Sequence, residues 1–284
     1  MTSAGYAPGC HGTAVVDASA RIAASATVGP YTVIGPGVEI GERVRIGPHV
    51  LVERDTRVAD DVRIAKGAVL GSDPQDLKYA GERTFLEVGP RTVVREFATL
   101  NRGTAANGLT SVGADALVMA YVHIAHDCLI GDHVVLANGV TMGGHVEIGD
   151  WGIVGGLAGI HQFTRIGQHA MVGGGARVSR DVAPYTLAGG VRTRTYGVNR
   201  IGLERRGFEP AAIRALHTAY RAIFRSGEPL RASLDRVERG EMTSEVRELV
   251  QFIRGSERGV TAARVGPDDD LLPEPRETRA RSAV

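Results

Sequence analysis

Residues 28–46 read VGPYTVIGPGVEIGERVRI, and this stretch decides the fold because Val or Ile stands at every sixth position. A helix repeats every 3.6 residues and a strand every two, so a period of six fits neither. It fits short strands joined by corners, with three six-residue units (hexads) closing one coil of a prism. The residue at every sixth position, which we call the anchor, is predicted to fill the prism interior.

The anchors extend over most of the chain in three runs, and a small or β-branched residue usually stands two positions before each of them. The runs are Val16, Ile22, Val28, Ile34, Ile40, Ile46, Val52, Val58, Ile64 and Leu70; Val88, Val94 and Leu100; and Val112, Val118, Ile124, Ile130, Leu136, Met142, Ile148, Val154, Ile160, Ile166, Val172 and Val178. Between the runs, residues 71–87 and 101–111 carry Pro, Gly and charges and are predicted to be loops. Loops that interrupt so regular a scaffold are where function is expected.

Beyond the hexads the pattern becomes helical. Apolar residues recur at three and four positions after Pro210, which suits a first helical turn. Two further helices are predicted near residues 229–239 and 244–254. We therefore expect a mainly β protein in which a β-helix of hexapeptide repeats (residues 1–190) is followed by a small α-helical C-terminal domain (191–262). The tail, residues 263–284, has a composition typical of disorder.

Composition narrows the functional classes. The chain has 33 Lys and Arg against 32 Asp and Glu, which predicts no nucleic-acid partner. Cys10 and Cys128 form neither a disulfide framework nor a metal-ligand spacing. No stretch is apolar for long enough to span a membrane, and the N-terminus does not read as a signal peptide, so a cytoplasmic location is expected. Glycine, 38 of 284 residues, suits a fold with many tight corners.

The hexad frame places several histidines on one face. If three hexads make one coil, residues 18 apart stack at one strand spacing, about 4.8 Å. His126, Gly144 and Gln162 then form one column, with His145 and His161 one residue out of it. His123 is placed at the corner just before this face. A single histidine on an outward face is more often solvated surface than catalyst, but four on one face favour a functional site.

Other reactive residues fall elsewhere in the frame. Cys128 resembles a nucleophile beside a histidine, yet it occupies the small inward slot two before Ile130, so packing is the favoured interpretation. His133 and His169 belong to a different face and are predicted to be ordinary surface residues.

Several short motifs, in this order along the chain, resemble one family. They are PQDLKYAGE at 74–82, NRGT at 101–104, HIAHDC at 123–128, GGH at 143–145, HQF at 161–163, GVN at 197–199 and RRGF at 205–208. Together they resemble the acyl-carrier-protein-dependent UDP-N-acetylglucosamine O-acyltransferases that begin lipid A synthesis. The resemblance, over roughly residues 12–260, implies a left-handed parallel β-helix, a homotrimer with sites between subunits, and no cofactor beyond the carrier's phosphopantetheine thioester as co-substrate.

The resemblance also implies roles for individual residues. His126 is the general base that takes the proton of the sugar 3-hydroxyl, Asp127 orients its ring, and the Gly144 N–H stabilises the oxyanion. Two sets complete the site by the same resemblance. The sugar nucleotide and acyl group are bound by Asp76, Lys78, His123, His145, His161 and Gln162. Nucleotide or phosphopantetheine phosphates are bound by Asn199, Arg205 and Arg206, where a solvated basic turn is the plain alternative for the two arginines.

Three further positions bear on specificity. Gly174 matches the position whose size limits acyl-chain depth in the family, so glycine there implies a longer chain. Ile201 stands where the family often has Glu, and Arg192 where His is common. Both departures lie near the nucleotide end of the implied site, so the acceptor sugar is left open.

Alternatives stay open at this point. A variant of the same enzyme could use a 3-amino sugar, whereas the related N-acyltransferase needs a nucleotide-binding domain for which no room precedes Val16. A carbonic-anhydrase-like metalloenzyme on the same prism could use His123, His126 and His145 as zinc ligands. The two loops and the helical domain argue against it. A trimeric scaffold without activity is a further alternative, which the intact His126–Asp127 pair disfavours.

Overall fold

The computed structural model describes residues 7–263 as a triangular prism of three parallel sheets followed by a helical region. Along the repeats, successive strands pass to successive sheets, so a strand pairs with the one three places on, as the period of six predicts; only the last two strands of the 11-stranded sheet depart from this order in residues 7–263. The prism is a left-handed parallel β-helix.

The strands are short, mostly two residues each, and they fall into three sheets. The 11-stranded sheet holds β1 (Gly9–Cys10), β4 (Thr27–Val28), β7 (Arg45–Ile46), β10 (Arg63–Ile64), β13 (Val93–Val94), β16 (Leu117–Val118), β19 (Val135–Leu136), β22 (Ile153–Val154), β25 (Met171–Val172), β27 (Thr186–Gly189) and β28 (Arg194–Val198). The 9-stranded sheet holds β2 (Val15–Val16), β5 (Val33–Ile34), β8 (Leu51–Val52), β11 (Val69–Ser72), β14 (Thr99–Asn101), β17 (His123–Ile124), β20 (Thr141–Met142), β23 (Gly159–Ile160) and β26 (Arg177–Val178). The 8-stranded sheet holds β3 (Arg21–Ile22), β6 (Glu39–Ile40), β9 (Thr56–Val58), β12 (Phe85–Val88), β15 (Leu109–Val112), β18 (Leu129–Ile130), β21 (Glu147–Ile148) and β24 (Arg165–Ile166).

The anchors fill the prism, as predicted. From Val28 to Val178 every anchor is buried, and only Val16 and Ile22 in the first coil are half-buried. The small residues two before each anchor are buried beside them, from Ala26 onward. Close packing explains the restriction, since each coil leaves room for one aliphatic side chain and one small neighbour per side.

Corners follow each anchor by three residues, and there the backbone is left-handed. Asp127, His145 and Phe163 have φ of 60°, 59° and 62°, and the same sign recurs at this position along the prism. Side chains at equivalent corners therefore stack from coil to coil, as the rings of His145 and Phe163 do at 4.5 Å between centroids. The corner geometry turns the side chains of adjacent residues toward each other in a way that a straight strand would not.

The region after the prism begins with an antiparallel hairpin. β28 pairs with β27 at the end of the 11-stranded sheet, so sheet pairing continues beyond residue 190, where the sequence predicts the boundary. Four helices are present in the described part of the chain: α1 (Arg200–Arg205), α2 (Pro210–Phe224), α3 (Leu230–Glu238) and α4 (Ser244–Arg254). Of these, α2 to α4 are the helices expected from the sequence, and α1 is additional.

The helical region has its own apolar core. One face of α2, with Ile213 and Leu216 buried, packs with α4 residues such as Leu249. The Thr243 side chain caps α4 by accepting a hydrogen bond from the Val246 N–H. Of the tail predicted to be disordered, all but Ala263 lies outside the described residues. Among the helices of residues 7–263, none combines the length and apolar character that a membrane crossing requires.

Candidate active site

His126 and Asp127 form a hydrogen-bonded pair at a corner of the prism. The His126 Nδ1 lies 2.8 Å from Asp127 Oδ2, although the two residues are adjacent in sequence. The positive φ of Asp127 makes this contact possible, because it turns the carboxylate back toward the preceding ring. An ionised carboxylate only accepts, so Nδ1 carries the proton and a neutral His126 presents the lone pair of Nε2.

The Asp127 carboxylate is held on its other side by the second loop. Thr104 donates to it twice, from N–H to Oδ1 at 3.0 Å and from Oγ1 to Oδ2 at 2.7 Å. The carboxylate is fully buried. Burial alone would raise the pKa of Asp127, but the hydrogen bonds from His126 and Thr104 outweigh it and hold that pKa below its ordinary value. Asp127 is therefore an anion at neutral pH.

Gly144 lies directly against the His126 ring, as the predicted column requires. A Cβ at position 144 would stand 2.4 Å from Cε1 of His126 and 2.7 Å from Nε2, so only glycine admits the ring in this pose. The Gly144 N–H makes no hydrogen bond within residues 7–263. The coil does not use the donor at this position, which is why proline occupies it at Pro30, Pro36 and Pro48. A free N–H thus stands beside the imidazole.

Two other histidines lie near His126, and they differ in how they contact the His126–Asp127 pair. His145 crosses His126 edge-on at 5.2 Å between centroids, and its Nε2 lies 3.6 Å from Asp127 Oδ2. His123 lies on β17, not at a corner, and its Nδ1 is 2.8 Å from Thr99 Oγ1. Burial, aided by the charge of His126, lowers the pKa of His123, which favours its neutral form.

His161 and Gln162 are exposed beside this cluster. The His161 Nδ1 lies 3.0 Å from the Gln162 carbonyl oxygen and 3.2 Å from Nη2 of Arg258 in the C-terminal region. No described contact joins His161 to His126.

The first loop is tied to the second through Arg102. The Arg102 side chain is buried and donates to the Gly71 carbonyl, to the Asp73 carboxylate and, at 3.1 Å, to the Tyr79 hydroxyl. Within that loop Asp76 accepts from the Lys78 N–H at 3.0 Å, while the Lys78 side chain is exposed. Sequence reasoning assigned no role to Arg102 or Thr104. The NRGT motif was the only sequence feature that pointed to them. Because this motif lies in a loop outside the hexad repeat, the repeat could not predict which way its side chains face.

The residues predicted to bind phosphates have structural partners. Asn199 is buried and caps α1, accepting from the Gly202 N–H and donating to the His169 carbonyl. Arg206 donates to the Trp151 carbonyl at 3.0 Å and lies over the Trp151 ring, whereas Arg205 is exposed. These residues lie beyond the His126 cluster, on the side of the C-terminal helices.

His169 corrects a prediction. It was expected on the surface with His133, but it is only 9% exposed, between the rings of Trp151 and Tyr185. Burial, aided by the nearby charge of Arg206, lowers the pKa of His169 to about 4. The hexad frame placed it outward correctly. The helical region then covers that outward face, which periodicity within the prism could not reveal.

Two further positions were named from the sequence: Cys128, which packs as the frame requires, and Gly174, which was named from the resemblance alone. Cys128 is fully buried, and burial raises the pKa of its thiol to about 12, so it is a packing residue. Gly174 is exposed, and a Cβ there would meet the Gly156 carbonyl oxygen at 3.2 Å.

The cluster also has the donor set of a metal site. One ligand atom from each of His126, Asp127 and His145 falls within 4.8 Å of the others. His123, a predicted ligand of the zinc alternative, is not in this group among the described residues. Both Asp127 oxygens already accept hydrogen bonds, which suits an orienting carboxylate as well as a metal ligand.

The geometry defines a chemistry. An oriented imidazole with a free Nε2 can remove a proton from a hydroxyl, and a free N–H beside it can stabilise the oxyanion of an attacked carbonyl. This combination suits acyl transfer from a thioester or ester to an alcohol or amine.

Comparison with known proteins gives consistent matches. A family model described as UDP N-acetylglucosamine O-acyltransferase, domain 2, matches residues 181–261, and a bacterial transferase hexapeptide model matches residues 19–54 and 110–144. The chain is 50% identical over 197 residues to the acyl-[acyl-carrier-protein]–UDP-N-acetylglucosamine O-acyltransferase of Myxococcus xanthus, covering 68% of this chain and 76% of that one. The enzyme of that name from Xanthomonas oryzae is 50% identical over 196 residues, covering 68% and 74%.

Solved structures agree. The chain resembles a UDP-N-acetylglucosamine acyltransferase from Francisella novicida with a TM-score of 0.88 and 35% identity, covering 93% of this chain and 99% of that one. A UDP-N-acetylglucosamine O-acyltransferase from Moraxella catarrhalis gives a TM-score of 0.86 and 42% identity, covering 89% and 99%.

Proposed function

Because this chain belongs to the acyl-[acyl-carrier-protein]–UDP-N-acetylglucosamine O-acyltransferase family, we propose that it uses the His126 imidazole to transfer an acyl chain from acyl carrier protein to UDP-N-acetylglucosamine. Transfer of this kind is the first step of lipid A biosynthesis. The acyl group is a 3-hydroxyacyl chain and the acceptor is the sugar 3-hydroxyl.

In this proposal His126 Nε2 removes the proton as the sugar oxygen attacks the thioester carbonyl. The single observation that carries the assignment is the 2.8 Å bond between His126 Nδ1 and a buried Asp127 carboxylate. The bond fixes the tautomer, and the anion stabilises the imidazolium formed during proton transfer. The Gly144 N–H receives the oxyanion. Collapse of the tetrahedral intermediate then releases the carrier thiolate, which takes the proton from His126.

The remaining site residues are proposed in binding roles. His145 and His123 surround the acceptor, while His161 and Gln162 extend the site along the prism. Asp76 and Lys78 of the first loop are proposed to bind the sugar nucleotide, the Lys78 side chain being exposed and Asp76 accepting a hydrogen bond from the Lys78 N–H. Arg205 and Arg206 are proposed to contact phosphates, with Asn199 holding the turn between them and the prism. Gly174 leaves depth for a long acyl chain.

The assembly and location are part of the same proposal. We propose a homotrimer with sites in the clefts between subunits, working in the cytoplasm without a cofactor. Several predicted binding residues support the cleft, because Lys78, Arg205 and His161 are exposed in a single chain instead of enclosing a pocket.

An acyl-transfer assay tests the proposal. Wild type and His126→Ala are compared with UDP-N-acetylglucosamine and a panel of 3-hydroxyacyl carrier proteins of different chain lengths. We expect transfer by wild type and loss of at least about a hundredfold in kcat for the variant, the ordinary contribution of a general base. A variant that matches wild type would remove His126 from the mechanism, and transfer only to a 3-amino sugar would replace the acceptor.

The metal-site geometry is tested separately. Purified protein is analysed for bound metal, and transfer is measured with and without a chelator. We expect chelation to leave transfer unchanged. Stoichiometric zinc together with loss of activity on chelation would instead favour a metalloenzyme using His126, Asp127 and His145.

A further inference from the structure

An arginine-lined groove lies at the C-terminal end of the prism, and of its residues only Arg192, the departure noted from the sequence, has been discussed above. Its volume is about 530 Å³. The charged and hydroxyl side chains that line it include Arg177, Ser179, Arg180, Arg192, Thr193 and Arg194. Its walls are pinned together, since Thr193 Oγ1 donates to the Arg177 carbonyl at 2.7 Å and the Thr195 N–H donates to the Ala262 carbonyl at 2.9 Å.

The groove carries unbalanced positive charge. No carboxylate lines it, and none of its four arginines forms an ion pair with a carboxylate of residues 7–263. Elsewhere on the prism several arginines form ion pairs with acids on the next coil, as Arg43 does with Asp61 at 2.8 Å. These four guanidinium groups have no carboxylate partner among residues 7–263, and their combined positive potential attracts an anion to the groove.

The groove continues the column that holds the proposed base. Arg180 follows Gln162 by 18 residues, as Gln162 follows Gly144 and Gly144 follows His126. On the adjoining strand, Arg177 pairs in register with Gly159. Three strand spacings place the backbone of Arg180 about 14 Å from that of His126 along the prism axis.

One side chain links the groove to the His161 end of the site. Arg258 donates to the Ser179 carbonyl at 3.2 Å, and its Nη2 is also 3.2 Å from His161 Nδ1. The Arg258 guanidinium therefore lies between the groove and His161, a residue of the proposed site.

We propose that this groove binds a phosphate group of a co-substrate during acyl transfer, an inference that rests on the proposed function. Guanidinium groups bind phosphate oxygens in pairs, and neighbouring hydroxyls donate further hydrogen bonds. Two co-substrates carry phosphate. The sugar 3-hydroxyl is only a few bonds from its own diphosphate, whereas the thioester sulfur is separated from its phosphodiester by the whole phosphopantetheine arm. The separation from His126 favours the phosphodiester of the carrier arm.

Direct binding of inorganic pyrophosphate tests the site without requiring turnover. Titration calorimetry on the full chain compares wild type, the double variant Arg180→Gln/Arg194→Gln, and a control, Arg21→Gln/Arg57→Gln. The control also removes two positive charges, but from arginines that form ion pairs with acids elsewhere on the prism. We expect the first double variant to bind at least about tenfold more weakly than wild type and the control. Absence of binding by wild type, or equal loss in the control, overturns the proposal.

Steady-state kinetics then identify the source of the phosphate. For the groove variant we expect the KM for acyl carrier protein to rise at least about tenfold while kcat changes little. A rise in the KM for UDP-N-acetylglucosamine instead assigns the groove to the nucleotide diphosphate and overturns the carrier-arm assignment. Unchanged KM values for both overturn the proposal. His126→Ala should still bind pyrophosphate, so failure of the groove and failure of the proposed base are distinguishable.

Discussion

Replacing Thr104 by Val tests whether the second loop sets the orientation of the proposed catalytic pair, His126 and Asp127. The two side chains have nearly the same shape, so the substitution removes one donor and adds little steric change. What is lost is the 2.7 Å hydrogen bond from Oγ1 to Asp127 Oδ2, while the backbone N–H of residue 104 still donates to Oδ1.

The size of the effect follows from the burial of the acceptor. The Asp127 carboxylate is fully buried, so water cannot replace the missing donor. A hydrogen bond to a charged group contributes about 1.5–3 kcal/mol. If that energy orients His126 in the transition state, kcat falls about 10- to 100-fold with little change in KM. The pKa of Asp127 also moves up toward its ordinary value, because one of the bonds that lowers it is gone. As pH falls, Asp127 should then lose its charge at a higher pH than in wild type, so the part of the acid limb of kcat/KM that Asp127 sets should shift to higher pH.

The acyl-transfer assay is run on Thr104→Val and Thr104→Ser over a range of pH, with circular dichroism to compare folding. Serine retains the hydroxyl, so Thr104→Ser should have a kcat within a few-fold of wild type and an unshifted pH profile. A folded Thr104→Val enzyme with the wild-type kcat would refute the orienting role. Equal impairment of the Val and Ser variants would show that the methyl packing matters and the hydrogen bond does not.

Three other substitutions have expected outcomes. Gly144→Ala places a Cβ 2.4 Å from His126 Cε1, so kcat should fall at least about a hundredfold while thermal unfolding changes little; a wild-type kcat would contradict this. Cys128→Ala should keep wild-type kcat because the thiol, with a pKa of about 12, is not a nucleophile, but should cost about 1 kcal/mol in urea unfolding. The pKa of His169 is lowered to about 4, so this residue is neutral in the folded protein at neutral pH. Its contribution to the free energy of unfolding is therefore complete above pH about 6.5 and is lost as pH falls toward 4, at up to about 1.4 kcal/mol per pH unit. His169→Phe should flatten this pH dependence of stability in urea unfolding measured from pH 7 to 4.

The hexad period predicted the prism and most of the neighbour relations in the candidate site for the same physical reason. Once the anchors face inward, every other side chain has a fixed phase on the coil, so the contact between His126 and Gly144 follows from their separation of 18 residues. Outside the repeat, the direction of a side chain can no longer be predicted from its position in the sequence. Thr104 reaches Asp127 from a loop that has no phase, and His169 is covered by helices whose docking is set by tertiary packing.

Because equivalent corners stack from coil to coil, distances along the prism are fixed by the number of residues between them. Inserting or deleting 18 residues between His126 and the C-terminal helices would slide the arginine groove by one strand spacing, about 4.8 Å, without turning it to another face. A change of six residues would instead rotate the groove by a third of a turn, away from the His126 column. The distance between the proposed base, His126, and the arginine groove therefore changes only in steps of one coil. Smaller adjustments must come from the length of the side chains that line the groove.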